Sequence, residues 1–187
     1  MKKENIGRKA NINIEPVFIN RVSPRSFTGD EVTLLQVEKL MEAARWAPSA
    51  FNEQPWKYLF GLKNTTHWNL YLSFLVEANM KWAQDTGVLF VILSKKTFSK
   101  NNSDNPTNQF DAGASWMSLA LQAEVMGLAA HAMLGFDANK ARVELNIPEE
   151  YEVIAMVAVG VPVEQEKYQN VSIRKSFNEI AVEGKWS

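Results

Sequence analysis

Two short stretches carry the side chains best suited to chemistry. In Asn20-Arg21-Val22-Ser23-Pro24-Arg25-Ser26-Phe27, two arginines and a serine stand at alternate positions. An extended segment puts alternate side chains on one face, so Arg21, Ser23 and Arg25 can converge on one anion. A plain polar loop leading into a helix has the same spacing. In Ala47-Pro48-Ser49-Ala50-Phe51-Asn52-Glu53-Gln54-Pro55-Trp56, hydroxyl and amide groups lie between two prolines and two aromatic rings. Proline fixes φ and removes competing N–H groups, so such a loop holds its donors and acceptors in set directions. That suits a flat polar ligand better than it suits a solvated turn.

Other chemistries are excluded by what is missing. Without cysteine there is no disulfide, thiolate nucleophile, iron–sulfur ligation or Cys-type zinc site. His67 and His131 lie in different segments and read as packed or surface residues, so no metal site is nominated. The chain has no G-x-G, no G-x-x-x-x-G-K and no G-x-S-x-G. A formal net charge of −1 lacks the diffuse positive field of a nucleic-acid binder, so a phosphate ligand needs a few placed cations. The expected partner is therefore a small molecule.

The elements that position these stretches follow from pattern. With 187 residues and 46% hydrophobic content, residues 15–187 read as one domain, and residues 1–14 as a flexible or edge-lying arm with no assigned chemistry. No apolar region follows the N-terminal cations, and the longest aliphatic or aromatic run is 88–93, so neither a signal peptide nor a spanning helix is expected. Together with the absent cysteines, this reads as a cytoplasmic protein with no membrane partner. Thr33 with Gln36 forms a capping box, and Val32 with Val37 a hydrophobic staple, for a helix that Pro48 ends. Strands are predicted from Trp56 to Leu62, across the doubly apolar run Val88 to Leu93, as a short strand within the stretch Ala129 to Asp137, and from Val153 to Val161. A helix is predicted from Thr66 to about Leu75. Asp137 should cap a small helix to Leu145, and residues 95–108 read as a loop or lid. The segment from Phe110 to Met126 is apolar nearly all round, which predicts a helix buried on most sides, the spine of a domain or a subunit interface. The apolar residues Phe177, Ile180, Val182 and Trp186 need a surface to bury against.

Taken in order, Arg21-x-Ser23-x-Arg25-x-Phe27, Ala47-Pro48-Ser49-Ala50-x-Asn52-x-Gln54-Pro55-Trp56, Asn79-x-x-Trp82-Ala83, Gly127-Leu128 followed by Gly135-Phe136-Asp137, and Arg174-Lys175 resemble the nitroreductase family of FMN-dependent oxidoreductases. The likeness runs from about Ile19 to Trp186. It implies an α+β fold with a mostly antiparallel central sheet flanked by helices, in an intertwined homodimer whose C-terminal arms are exchanged. The cofactor implied is FMN, with NADH or NADPH as a transient electron donor. Arg21, Ser23, Arg174 and Lys175 would hold the phosphate and ribityl chain, and Arg25 would lie near the pyrimidine edge of the flavin. Pro48, Ser49, Ala50 and Asn52 would come from the other subunit, with Asn79 at the ring's polar edge. The backbone N–H groups of Leu134 and Gly135 would face flavin N5 and O4, and Val22, Gln54 and Met133 would also contact the cofactor. The flavin carries the chemistry, so no catalytic side chain is assigned beyond tuning by Arg25, Leu134 and Gly135.

The activity so implied is ping-pong hydride transfer from NAD(P)H to a nitroaromatic, quinone or similar flat acceptor. Reductive dehalogenases, flavin-destroying oxygenases and azoline dehydrogenases share the fold, and a flavin-binding or storage protein with little turnover is the reading from a different class. Leu134 stands where well-studied members often carry Glu. Since the backbone makes the contact there, cofactor binding should survive while electronics and substrate choice shift.

Overall fold

The computed structural model describes residues 8–164 and 172–186. A short helix, α1 (Pro16–Asn20), opens with proline in its first turn, where the missing N–H has no helical partner to lose. The next, α2 (Leu34–Arg45), starts as its sequence dictates: Thr33 Oγ1 accepts the Gln36 N–H at 3.2 Å, and Gln36 Oε1 accepts the Thr33 N–H at 2.8 Å. Val32 and Val37 are both buried in one apolar cluster, as a staple requires.

Four strands, β1 (Trp56–Leu62), β2 (Val88–Lys95), β3 (Ala129–Met133) and β4 (Tyr151–Gly160), form one antiparallel sheet in the order β1-β2-β4-β3. The doubly apolar run explains itself on β2. Val88, Phe90 and Ile92 join a cluster with α2, whereas Leu89, Val91 and Leu93 join Trp68, Tyr71 and Phe74 on the opposite face. The remaining helices are α3 (Trp68–Leu72), α4 (Glu77–Ala83), α5 (Asn108–Val125), α6 (Ala138–Glu144) and α7 (Phe177–Ile180). This is the α+β arrangement expected, a central antiparallel sheet with helices packed on it.

Two helices differ from their sequence reading. The helix expected from Thr66 to Leu75 stops after five residues, because Leu75 leaves it to bridge Phe136 and the Phe74 carbonyl accepts the Asp137 N–H at 2.8 Å. A tertiary pairing thus overrides a continuous helical pattern. The other is α5. One side packs on α2 and the sheet, but Phe110, Met117 and Val125 are exposed, so its apolar surface is covered on fewer sides than the sequence reading has it.

The buried join between α2, β1 and α5 is polar at one point. Ser115 Oγ donates to the Ala44 carbonyl at 3.0 Å, so across the 2.9 Å contact the Tyr58 hydroxyl donates to Ser115. Burial pushes the Tyr58 pKa up to about 12. The unfolded phenol loses its proton near pH 10 and the folded one near 12, so the unfolded state holds fewer protons in that window. Stability is full below about pH 10 and falls as the pH rises through about 12, by on the order of 2–3 kcal/mol from this group. Urea unfolding followed across the window should show the fall, with a shallower slope in Tyr58→Phe.

Candidate functional site

The segment after α1 is extended and leans on the end of β4: Phe27 bridges Pro162, and the Thr28 N–H donates to the Val161 carbonyl at 2.9 Å. Its residues alternate. Val22, Pro24 and Phe27 are buried, whereas Ser23 and Arg25 face outward. Beside it lies an open cavity of about 320 Å³ lined by Arg21 and Ser23 from this segment, Trp116, Met117 and Ala120 from α5, and His131 and Ala132 from β3.

His131 ties the cavity wall together. Its Nδ1 is 2.8 Å from the Pro24 carbonyl, which only accepts, so Nδ1 carries the proton. The ring packs against Trp82 with centroids 4.7 Å apart, and Trp82 stacks on Phe27 at 6.0 Å. Burial pushes the His131 pKa down, with Arg25 and Arg21 adding to the effect and the Pro24 and Ser23 carbonyls opposing it. The imidazole is therefore neutral at pH 7.

Arg21, which lines the cavity, has other cations near it. Arg21 Nη1 donates to Ser23 Oγ at 3.2 Å. Burial pushes the Arg21 pKa down; Arg8 and then Arg174 push it further, and Glu124 is the smallest influence, in the opposite direction. Arg174 Nη1 donates to Ser172 Oγ at 2.8 Å. Three guanidiniums thus lie within electrostatic reach of one another, drawn from both ends of the chain. Lys175 is exposed beside Arg174.

The amide loop is held by hydrogen bonds within itself and to Asp111 and Ser99. Ala50–Asn52 forms one 3-10 turn, and Phe51, Asn52 and Gln54 hold positive φ of 53°, 58° and 51°. Ser49 Oγ accepts the Gln54 N–H at 2.9 Å, Asp111 Oδ2 accepts the Ala50 N–H at 3.1 Å, and Glu53 Oε1 accepts the Ser99 N–H at 2.8 Å. None of Pro48, Ser49, Ala50, Asn52 and Gln54 lines the cavity of its own chain. At the end of β3, Asn79 Nδ2 donates to the Gly135 carbonyl at 3.0 Å. A Cβ on Gly135 would stand 2.6 Å from Asn79 Nδ2 and 3.0 Å from Val76 Cγ2, so a larger residue there would displace the Asn79 amide. Met133 and Val22 point into the core, leaving only their backbones to meet a ligand, and Leu134 is 81% exposed.

Of the residues nominated from sequence, the structure brings Arg21 and Ser23 to the cavity, sets Arg174 within electrostatic reach of Arg21, and pairs Asn79 with Gly135 at the end of β3. Arg8, Trp116, Met117 and His131 escape the sequence reading. A lone arginine in a polar arm and a histidine inside a short strand carry no local pattern; only the fold gives them neighbours.

The Nitroreductase family model matches residues 19–64 and 61–161. The chain belongs to the nitroreductase family. A crystal structure of an oxidoreductase containing FMN is 33% identical, covers 100% of this chain and 99% of its own, and superposes with a TM-score of 0.91. An NADH dehydrogenase of Thermus thermophilus is 27% identical over 182 residues, covering 82% of this chain and 89% of that relative. The nitroreductase family protein of Streptococcus pneumoniae TIGR4 shares the fold, at 20% identity and a TM-score of 0.74, covering 90% of this chain and 98% of its own. Among the described residues of this nitroreductase-family chain, no group of three or more His, Asp or Glu could hold a metal ion. No helix among them is long and apolar enough to cross a membrane.

Proposed function

We propose that the protein is an FMN-dependent oxidoreductase that takes electrons from NADH or NADPH and passes them to a nitroaromatic, quinone or similar flat acceptor in alternating half-reactions. The observation that carries this reading is the gathering of Arg8, Arg21 and Arg174 beside a cavity in a chain of net charge −1. Arg21 is partly buried with Arg8 and Arg174 in electrostatic reach, and a phosphate of about −1.5 to −2 charges matches arginine's forked donors.

The rest of the donor set fits the same cofactor. Ser23 and the neutral His131 offer polar atoms for a hydroxylated chain, and Trp116 with Met117 an apolar wall. At about 320 Å³ the cavity is at the small end of ligand sites, so one chain supplies part of a site that a second copy completes. In the proposed homodimer the partner's amide loop brings Pro48, Ser49, Ala50, Asn52 and Gln54, while Arg21, Ser23, Arg174 and Lys175 hold the phosphate and ribityl chain. When bound, FMN supplies hydride acceptance and electron release at N5, and the protein contributes binding, orientation and exclusion of water. No side chain of this protein need serve as acid, base or nucleophile.

Flavin released by heat and quantified by chromatography should approach one FMN per chain, and NADH or NADPH should bleach it without oxygen. Protein saturated with free FMN yet retaining none overturns the reading. Varying NAD(P)H at several acceptor concentrations should give parallel double-reciprocal lines; intersecting lines would mean that both substrates bind together.

Arg25, within electrostatic reach of His131 at the cavity wall, is assigned to the flavin's pyrimidine edge. A fixed cation there favours the more negative reduced form. Arg25→Gln should lower the midpoint potential by ~30 mV for each ~1.4 kcal/mol of selective stabilisation lost. An unchanged potential in flavin-loaded enzyme would make Arg25 structural.

A further inference from the structure

We infer that Arg8 is a positioning residue of the phosphate site: its guanidinium clasps the two ends of the chain and so directs Arg21 and Arg174 to one anion. The inference rests on the FMN reading above. Arg8 Nη1 donates to the carbonyls of Ile19 at 3.1 Å and Arg21 at 2.8 Å, and Nη2 donates to Ser172 Oγ at 2.7 Å. Ile19 lies in the last turn of α1, where helical carbonyls lack partners along the chain. One planar fork therefore fixes the backbone from which the Arg21 side chain springs and, 164 residues away, a serine of the C-terminal segment.

Ser172 is the joint of the clasp. Its Oγ receives Arg8 Nη2 at 2.7 Å and Arg174 Nη1 at 2.8 Å, so the position of Arg174 is set relative to Arg8. On the other arm, Arg8 holds the Arg21 carbonyl while the Arg21 guanidinium reaches Ser23 Oγ at the cavity. A neutral amide could bridge carbonyls and a hydroxyl without repulsion. Arginine instead sets a third positive charge beside two others, and Arg8 is the neighbouring charge that most lowers the Arg21 pKa.

The test uses the full chain with FMN and riboflavin as paired probes, which differ by the phosphate, titrated by flavin fluorescence. Arg8→Gln should weaken FMN by roughly tenfold, the size of one charge-assisted hydrogen bond, and leave riboflavin affinity unchanged. Arg8→Lys, which keeps the charge but not the fork, should fall between. Ser172 is exposed, so Ser172→Ala spares the fold and should reproduce part of the FMN-selective loss. Equal losses for both flavins would make Arg8 a fold residue, and an unaltered FMN affinity would make the clasp incidental; either overturns the inference. Wild-type protein with no preference for FMN over riboflavin would overturn the cofactor reading itself, and the clasp with it.

Discussion

Replacing Arg21 with alanine should lower FMN affinity by roughly 10- to 150-fold, the equivalent of about 1.5–3 kcal/mol for a hydrogen bond to a charged group. The apoprotein should respond in the other direction or not at all. Arg21 is partly buried, and both burial and its neighbours Arg8 and Arg174 disfavour its charge, so removing it relieves repulsion in the empty chain. Its side-chain bond to Ser23 is exposed and adds little to stability. Thermal unfolding of apoprotein and fluorescence titration with FMN separate the two effects. An unchanged dissociation constant would mean that the arginine cluster is not the phosphate site. A large loss of apoprotein stability would mean that Arg21 serves the fold.

Much of the fold is legible in the sequence because its signals are local. Thr33 and Gln36 make a capping box from residues three apart, and β1 lies between the breaks that Pro55 and Lys63-Asn64 announce. The apolar run in β2 predicts a central strand from composition alone, and Asp137 caps α6 by accepting the Lys140 N–H at 2.9 Å. Where a distant partner decides, the pattern misleads. The residues after Thr66 have a helical stripe, yet the pairing of Leu75 with Phe136 ends the helix, and nothing near Leu75 in sequence foretells it.

The site divides along the same line. Alternation of Arg21, Ser23 and Arg25 can be read from residue spacing, because an extended segment repeats every two residues and the structure buries Val22 and Pro24 between them. Arg174 is reached only through the family resemblance, for a basic residue in a polar tail has no pattern of its own. Arg8 is invisible in the sequence, since its meaning lies in carbonyls 11 and 13 residues away and a hydroxyl 164 residues away. His131 reads as a packed or surface residue, and its ring packs against Trp82. Its place in the cavity wall comes from β3 lying alongside the Arg21 segment, a tertiary fact.

The largest effect on assembly should come from a residue with no side chain. On α5, Phe110, Gly113, Met117 and Val125 are exposed, with Ala114 and Leu121 half-buried between them, at helical spacings of three and four. A Cβ added to Gly113 meets nothing within 4 Å. Glycine inside a helix costs roughly 1 kcal/mol relative to alanine, and arginine is among the better helix formers. In an isolated chain Gly113→Arg should therefore raise stability by several tenths of a kcal/mol. In the proposed homodimer the sign reverses, because a small residue in an apolar stripe lets two helices approach closely and a long cation there forces them apart. Met117 belongs both to this stripe and to the cavity wall, so separated chains should also lose FMN. Light scattering should give a dimer for the natural protein and for Gly113→Ala, and a monomer nearly free of flavin for Gly113→Arg. If Gly113→Arg remains a flavin-loaded dimer, the α5 face is not the contact. If the natural protein is a monomer that holds FMN, the completed two-chain site is wrong.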